Sequence, residues 1–161
     1  MTSSSDTSAR TLADALDGLM FAMVATSDPD GHWQSRPLAV AGQDGGTLRF
    51  LVSTDADWVA GLDVQASPTT VTFSDPGKSA YVALQGAART TNDRAQISEL
   101  WNPGAAAYFE GADDPKVRVL EIDVHYGEYW DGSDGRLGQA LDLVKAALGN
   151  KNAGEQGDVL V

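Results

Sequence analysis

Apolar and polar positions alternate with a period of two along most of the chain, and clusters of Gly, Pro and Asp separate the alternating runs. This pattern is typical of β-strands joined by tight turns. The clearest run covers residues 116–130, where Leu120, Ile122, Val124 and Tyr126 are predicted to share one face. With the earlier runs, about six strands are predicted. The earlier runs lie at 19–26, 33–41, 47–53, 69–75 and 80–90.

Other segments place apolar residues three or four positions apart, which predicts short amphipathic helices. The first ends near Gly18, the second is capped by Thr54 or Asp55, and the third is capped near Thr91. A further helix is predicted over 134–150. Because the strands follow one another through short turns, an antiparallel sheet or barrel is favoured, giving a mainly β fold with flanking helices.

The chain of 161 residues is long enough for one domain with its own core. We predict this domain over 10–149, between a flexible Ser/Thr-rich N-terminus at 1–9 and a polar C-terminal tail at 150–161. The N-terminus has neither the basic region nor the apolar region of a signal peptide, so a cytoplasmic protein is expected.

The formal charge of −12 comes from 23 acidic residues against 11 Lys and Arg. Such a surface repels phosphate backbones and anionic lipids, so neither a nucleic acid nor a membrane is expected as a partner. There is no cysteine and there are only two histidines, which lie far apart in the sequence. We therefore expect no metal site.

The common catalytic motifs are missing from the sequence. It contains no P-loop, no Rossmann glycine fingerprint and no Gly-x-Ser-x-Gly elbow. Carboxylates are so numerous that close pairs arise by chance, which makes a glycosidase site a weak interpretation. The catalytic residues therefore remain unknown at this stage.

Arg36 is the most unusual residue, because it interrupts an apolar strand and is followed directly by Pro37. A half-buried arginine requires an anionic or polar partner. That partner is either one of the many aspartates or a ligand that offers a phosphate or a polar ring edge. Pro37 lacks a backbone donor, which marks the edge of a sheet.

Four more residues, in three segments of the chain, allow both a structural and a functional interpretation. Lys78 lies in a predicted turn, where it is either solvated or in contact with a ligand. Tyr81 begins a strand, where it either packs in the core or offers its hydroxyl to a ligand. Tyr129 and Trp130 end the last strand, and either they close the core or the indole of Trp130 is held at the rim of a binding site.

These features resemble the FMN-binding split-barrel superfamily of pyridoxamine 5'-phosphate oxidases, and in particular its general stress protein 26-like branch. The resemblance covers roughly residues 10–135 and implies a six-stranded antiparallel split β-barrel of Greek-key type. It also implies a homodimer with flavin mononucleotide (FMN) at the subunit interface. The segments that carry it are SRPLAV (35–40), LRFLVSTDAD (48–57), VTFSDPGKSAYVALQGAA (71–88), ISELWNP (97–103), YFEGADDPKV (108–117) and EYWDG (128–132).

By position, the resemblance implies that Arg36 contacts the flavin, with the main chain of Pro37 and Leu38 beside the ring. Ser53 and Thr54 are implied at the phosphate or the ribityl chain, close to the start of a helix. Tyr81 and Trp130 match positions near the flavin, and Trp130 is of the kind donated across the dimer. Trp58 and Lys78 complete the expected cofactor-binding set.

Two departures limit what the resemblance implies. The family usually carries a Lys or Arg for the flavin phosphate where this chain has Asp57 and Trp58, and neither residue supplies positive charge. The true oxidases carry a His after the Arg136-Leu137 pair, where this chain has Gly138. Oxidation of vitamin B6 is therefore not expected.

The expected function is that of an FMN-binding, oxidoreductase-like protein of unknown substrate. The alternatives are a non-catalytic flavin-binding stress protein and a split barrel that has lost FMN or uses another cofactor, namely FAD, the deazaflavin F420 or heme.

Overall fold

The computed structural model describes residues 10–62, 65–131 and 155–160, and within these ranges nine strands form one sheet. Six of them correspond to the predicted runs, and three short ones have no counterpart in the predicted pattern. Neighbouring strands are antiparallel, except that β1 and β9 pair in parallel. The strands are β1 (Arg10–Thr11), β2 (Phe21–Ser27), β3 (Trp33–Ala39), β4 (Gly42–Asp44), β5 (Thr47–Ser53), β6 (Ser67–Asp75), β7 (Ala80–Thr91), β8 (Val117–Asp131) and β9 (Glu155–Leu160).

The long strand β8 organises the sheet, because it has three neighbours. β7 pairs along one of its edges for almost the whole length. The other edge is divided between β5, at residues 117–123, and β9, at residues 128–131. Because two different strands leave this edge, the sheet curls and opens as a split barrel instead of closing continuously. The predicted antiparallel split β-barrel is confirmed.

A β-bulge interrupts the pairing of β7 with β8. Gly86 lies opposite Val124, whereas the residue before Gly86 lies opposite Tyr126, so His125 is the extra residue of the bulge. A Cβ atom on Gly86 would lie 2.1 Å from the carbonyl oxygen of Asp123. Only glycine therefore allows the two strands to approach this closely.

The bulge changes which side chains of β8 face the core. Leu120, Ile122 and Val124 are buried as predicted, but Tyr126 is 44% exposed. The prediction that Tyr126 shares their face is wrong, because the extra residue shifts the alternation by one position. Beyond the bulge Tyr129 takes an inner position and is 1% exposed.

Among the described residues, three short α-helices and a 3₁₀ turn lie outside the sheet, and none of these helices is long and apolar enough to cross a membrane. Asp93 caps the third helix, with its Oδ1 accepting from the amides of Ala95 and Gln96. The cap thus lies two residues after Thr91, near which it was predicted, because Thr91 is the last residue of β7. The predicted helix over 134–150 lies outside the described residues. The elements are α1 (Leu12–Ala15), α2 (Asp57–Leu62), α3 (Arg94–Leu100) and the 3₁₀ turn (Ala105–Ala107).

Two apolar clusters hold these elements together. The larger lies on the inner side of the sheet, under α1 and α2, and contains the fully buried Phe50, Phe73 and Tyr129. The smaller lies on the outer side, where Ile97 of α3 packs against Val117 and Val119 of β8. The outer side is therefore covered by α3 at one end of the sheet.

Strand β9 lies in the segment that was predicted as a polar tail. It pairs with the end of β8 and in parallel with β1, and its Val159 is 5% exposed and packs in the main core. A Cβ atom on Gly127 would lie 2.9 Å from Val159 Cβ, so the two strands approach closely. The apolar signal of this strand is too short to predict it from the sequence.

Candidate functional site

Arg36 lies on the inner face of β3, opposite Val24 of β2. Its Nη1 donates a 2.8 Å hydrogen bond to Thr26 Oγ1, and its guanidinium carbon lies 4.2 Å from the centre of the Trp58 ring. Burial lowers the pKa of the guanidinium, which stays charged at neutral pH. Within the described part of the chain no carboxylate pairs with it. Arg36 is therefore positioned by neutral groups and not by an aspartate.

The residues after Arg36 confirm that β3 is an edge strand, since β2 is the one described strand with which it pairs. Pro37 is exposed and lies opposite Met23 on the outer face. Leu38 points to the other side and packs against the main core. The missing backbone donor of Pro37 is thus tolerated as predicted.

Ser53 and Thr54 form the connection between β5 and α2. The amide of Asp55 donates to Ser53 Oγ at 3.1 Å, and the amide of Thr54 donates to the carbonyl of Lys116 at 2.9 Å. Trp58 lies in the first turn of α2 and packs against the main core. Of these residues, Trp58 is the one that contacts Arg36.

An open surface groove of about 490 Å³ adjoins this connection. Lys116 lies on its wall, with Nζ 3.1 Å from Asp55 Oδ2. Sequence reasoning misses Lys116, because its position beside Asp55 depends on the pairing of β5 with β8, two segments far apart in the chain. The groove is lined by Ser53, Asp55, Ala107, Tyr108, Phe109, Glu110, Asp114, Pro115 and Lys116.

Tyr81 and Trp130 are direct neighbours across the β7–β8 pair. Ser74 of β6 lies opposite Tyr81, so these polar and aromatic side chains form a row across three strands. Both aromatic residues are half-buried, whereas the adjacent Tyr129 is 1% exposed. Tyr129 is thus the core residue at the end of β8, and Trp130 lies on the opposite, outer face.

The outer side of β2, β3, β6, β7 and the end of β8 is a surface that we call the open face, where exposed apolar residues lie beside polar ones such as Thr72, Ser74 and Gln85. Phe21 and Met23 contribute strongly to it and are 71% and 43% exposed. Pro37, Tyr81 and Trp130 share this side of the sheet, as the strand registers show. Exposed apolar residues of this size on one sheet face are typical of an interaction surface.

Lys78 lies in the turn between β6 and β7. Its Nζ is 3.9 Å from Asp75 Oδ2, and its side chain is 66% exposed. A Cβ atom on Gly18 would lie 3.0 Å from this Nζ, so Lys78 lies against the turn that follows α1. This is the solvated arrangement, and a contact of Lys78 with a cofactor stays a prediction.

The predicted site residues therefore do not share one side of the sheet, and Lys78 lies in a turn at its edge. Arg36 contacts Trp58 of α2 on the inner side, whereas Ser53 lies on the same outer side of β5 as Leu51. Tyr81 and Trp130 belong to the open face. Among the described residues of one chain, no contact joins Arg36 and Trp58 to the pair of Tyr81 and Trp130.

Comparisons with known proteins identify solved structures that are similar to this split barrel. At 31% identity and a TM-score of 0.63, a general stress family protein of Xanthomonas campestris pv. campestris matches 76% of this chain and 85% of its own. The general stress FMN/FAD binding protein of Xanthomonas citri is 29% identical with a TM-score of 0.64, covering 76% and 87%. A general stress protein 26 of Jannaschia sp. CCS1 is 26% identical with a TM-score of 0.70, covering 92% and 94%.

The fold defines the general class of this protein, which is that of the antiparallel split β-barrels. The sequence profile described as "Pyridoxamine 5'-phosphate oxidase like" matches residues 7–154, which is most of the chain. The protein therefore belongs to the pyridoxamine 5'-phosphate oxidase like family, and the similarities above place it in the general stress protein 26 branch.

Proposed function

We propose that the protein binds flavin mononucleotide and is an oxidoreductase-like flavoprotein, but not a pyridoxamine phosphate oxidase. Family membership supports flavin binding, as does the similarity to the FMN/FAD binding protein of Xanthomonas citri. Gly138 stands where the resemblance implies the substrate-binding His of the true oxidases, which argues against pyridoxamine phosphate as the substrate.

The observation that carries the proposal is the environment of Arg36. A charged guanidinium is costly to bury unless a partner compensates it. Here Thr26 and the Trp58 ring fix the group, and neither neutralises it. A fixed cationic donor of this kind suits the carbonyl-rich edge of a flavin ring, which accepts hydrogen bonds and gains electron density on reduction.

The chemistry of the remaining side chains also suits a flavin. Tyr81 and Trp130 offer aromatic surface for the ring, and Ser53 and Thr54 offer hydroxyl groups for a ribityl chain. When bound, the flavin supplies the redox chemistry, whereas the protein supplies orientation and electrostatics. Arg36 would hold the ring edge, and the aromatic pair would shield the ring from water.

The division of the site between two sides of the sheet supports a homodimer. One flavin cannot touch both Arg36 and Trp130 of a single chain if it lies flat on one side of the sheet. A second copy, docked through the open face, can present its Trp130 to the Arg36 side of the first. We therefore propose that two copies form the complete site at their interface, with no nucleic acid or membrane as partner.

Titration with cofactors tests the proposal. We expect FMN to bind with one molecule per chain, to lose fluorescence and to raise the melting temperature of the protein. Parallel titrations with FAD, F420 and heme decide between cofactors, and saturable binding of one of these but not of FMN would overturn the proposal. Reduction of the bound flavin by a nicotinamide donor distinguishes an oxidoreductase from a flavin-binding protein without turnover.

A further inference from the structure

The described part of the protein occupies one nitrogen of the Arg36 guanidinium. Nη1 donates to Thr26 Oγ1 at 2.8 Å and lies 3.5 Å from the carbonyl oxygen of Val24, and both partners belong to β2. Among the described residues, none accepts a hydrogen bond from Nε or Nη2. The edge that Nε and Nη2 form is therefore left for a ligand, and such a planar pair of donors suits two adjacent acceptors.

The direction of this edge depends on a second contact. A guanidinium that is held at one nitrogen can still rotate about its hydrogen bond with Thr26. Trp58 fixes the plane of the group, since the guanidinium carbon lies over the indole at 4.2 Å from the ring centre. The negative face of the indole attracts the cation, and it covers one face of the guanidinium without using any of its donors.

Helix α2 gives Trp58 a fixed position. Val59 and Leu62 of the same helix are 0% and 6% exposed, and Trp58 packs with them against the main core. Arg36 itself lies on the edge strand β3, which pairs with β2 as its one described neighbour. The contact from α2 therefore supports Arg36 from outside the sheet, and a supported donor keeps its geometry when a ligand binds.

The indole of Trp58 stands where the family has a residue of another kind. The resemblance implies a Lys or Arg for the flavin phosphate at this point of the chain, which carries Asp57 and Trp58 instead. A second cation so close to Arg36 would repel the guanidinium, whereas the indole attracts it. The chain thus fixes Arg36 at the place where the resemblance implies recognition of the phosphate.

We propose that Trp58 is a positioning residue, which holds the Arg36 guanidinium so that its Nε–Nη2 edge meets the flavin ring. The inference rests on the proposed flavin binding, and it adds a role for Trp58 that acts through Arg36 and not through the phosphate. FMN and riboflavin share the ring and differ in the phosphate. Trp58 should therefore contribute to the affinity for both flavins by the same factor.

Titration of Trp58 variants with FMN and riboflavin tests this role. We expect Trp58→Leu to weaken the binding of both flavins about fivefold, which is the effect of one lost cation–π contact. Trp58→Tyr should keep most of the affinity, because a phenol ring also attracts the guanidinium. Trp58→Lys should weaken the binding of both flavins, because it repels Arg36. Tighter binding of FMN alone by Trp58→Lys would place residue 58 at the phosphate and overturn the inference.

The reduction potential of the bound FMN is a second measurement, which a loss of packing alone would not change. A cation held at the ring edge favours the reduced, more electron-rich flavin and so raises the potential. We expect a lower potential in Trp58→Leu and the unmodified value in Trp58→Tyr. An unchanged potential in Trp58→Leu would mean that Arg36 keeps its place without the indole, which contradicts the inference.

Trp101→Leu is the matched control, because it removes the same side chain from another apolar cluster. Trp101 packs beside Phe109 in the smaller, outer cluster, whereas Arg36 lies on the inner side of the sheet. We expect Trp101→Leu to lower the melting temperature and to leave both flavin affinities unchanged. Equal losses of affinity in Trp101→Leu and Trp58→Leu would show that packing in general decides the affinity, and the inference would be wrong. If the unmodified protein binds neither flavin, the proposed function itself fails, and the inference fails with it.

Discussion

Two neutral groups, the Thr26 hydroxyl and the Trp58 ring, hold the Arg36 guanidinium. Arg49 and Arg89, for comparison, both face the buried Glu121. A cation above an indole contributes about 0.5–2 kcal/mol, depending on how far it is desolvated. The planar guanidinium can stack on Trp58 while one nitrogen donates to Thr26, which a lysine ammonium cannot do.

The dual contact of Arg36 leads to a prediction for flavin binding. Arg36→Ala should weaken FMN and riboflavin equally, by about tenfold or more, because a charged hydrogen bond contributes about 1.5–3 kcal/mol. Arg36→Lys should recover little of this loss. Fluorescence titration with both flavins measures it, and a loss confined to FMN would place Arg36 at the phosphate instead of the ring.

Tyr129 and Trp130 are adjacent in sequence and are predicted to respond in opposite ways to substitution. Tyr129 is 1% exposed, so Tyr129→Ala should cost about 3–5 kcal/mol of unfolding free energy. Trp130 lies half-buried on the open face, so Trp130→Ala should cost far less stability but weaken flavin binding. Chemical denaturation and flavin titration of both variants separate the roles. Equal losses of stability in the two variants would indicate that Trp130 is a core residue as well.

At the scale of elements, the pairing of β7 with β8 depends on Gly86. A Cβ at this position meets backbone atoms of Asp123, which cannot move without breaking the ladder. We predict that Gly86→Ala lowers the unfolding free energy by several kcal/mol, at the upper end of single substitutions. Gly61→Ala in α2 is the control, since its Cβ meets nothing within 4 Å and should stabilise by about 0.5–1 kcal/mol. Thermal unfolding with opposite signs for the two variants is the expected result.

The same elements show what periodicity can and cannot predict. The six principal strands follow from apolar runs, most of them alternating, that turn residues separate. The bulge at His125 cannot be predicted from alternation, because the pairing of β8 with β7 determines it. Strand β9 is also not predictable from the sequence pattern, because it pairs in parallel with β1, which is far from it in the sequence. In the site, Arg36 and Trp130 are recognisable as unusual in sequence, whereas the pair of Lys116 and Asp55 forms only when β5 pairs with β8.

At the scale of the whole molecule, the net charge opposes the proposed dimer. Two chains of −12 each repel one another. A stable interface therefore has to bury apolar area, and salt weakens the repulsion between the chains. The open face provides that area through Phe21, Met23 and the aromatic row of Tyr81 and Trp130. The dimer should therefore be tighter at higher ionic strength.

A single substitution on the open face tests the assembly and the site together. Phe21→Asp places a charge in the proposed interface, so we expect monomers by light scattering and a parallel loss of flavin binding, because the partner's Trp130 no longer reaches the site. Ser98→Asp on α3 adds the same charge at an exposed position and should leave the dimer intact. Monomers that still bind flavin with full affinity would show that one chain holds the whole site. A dimer that tolerates Phe21→Asp would mean that a surface other than the open face joins the two copies.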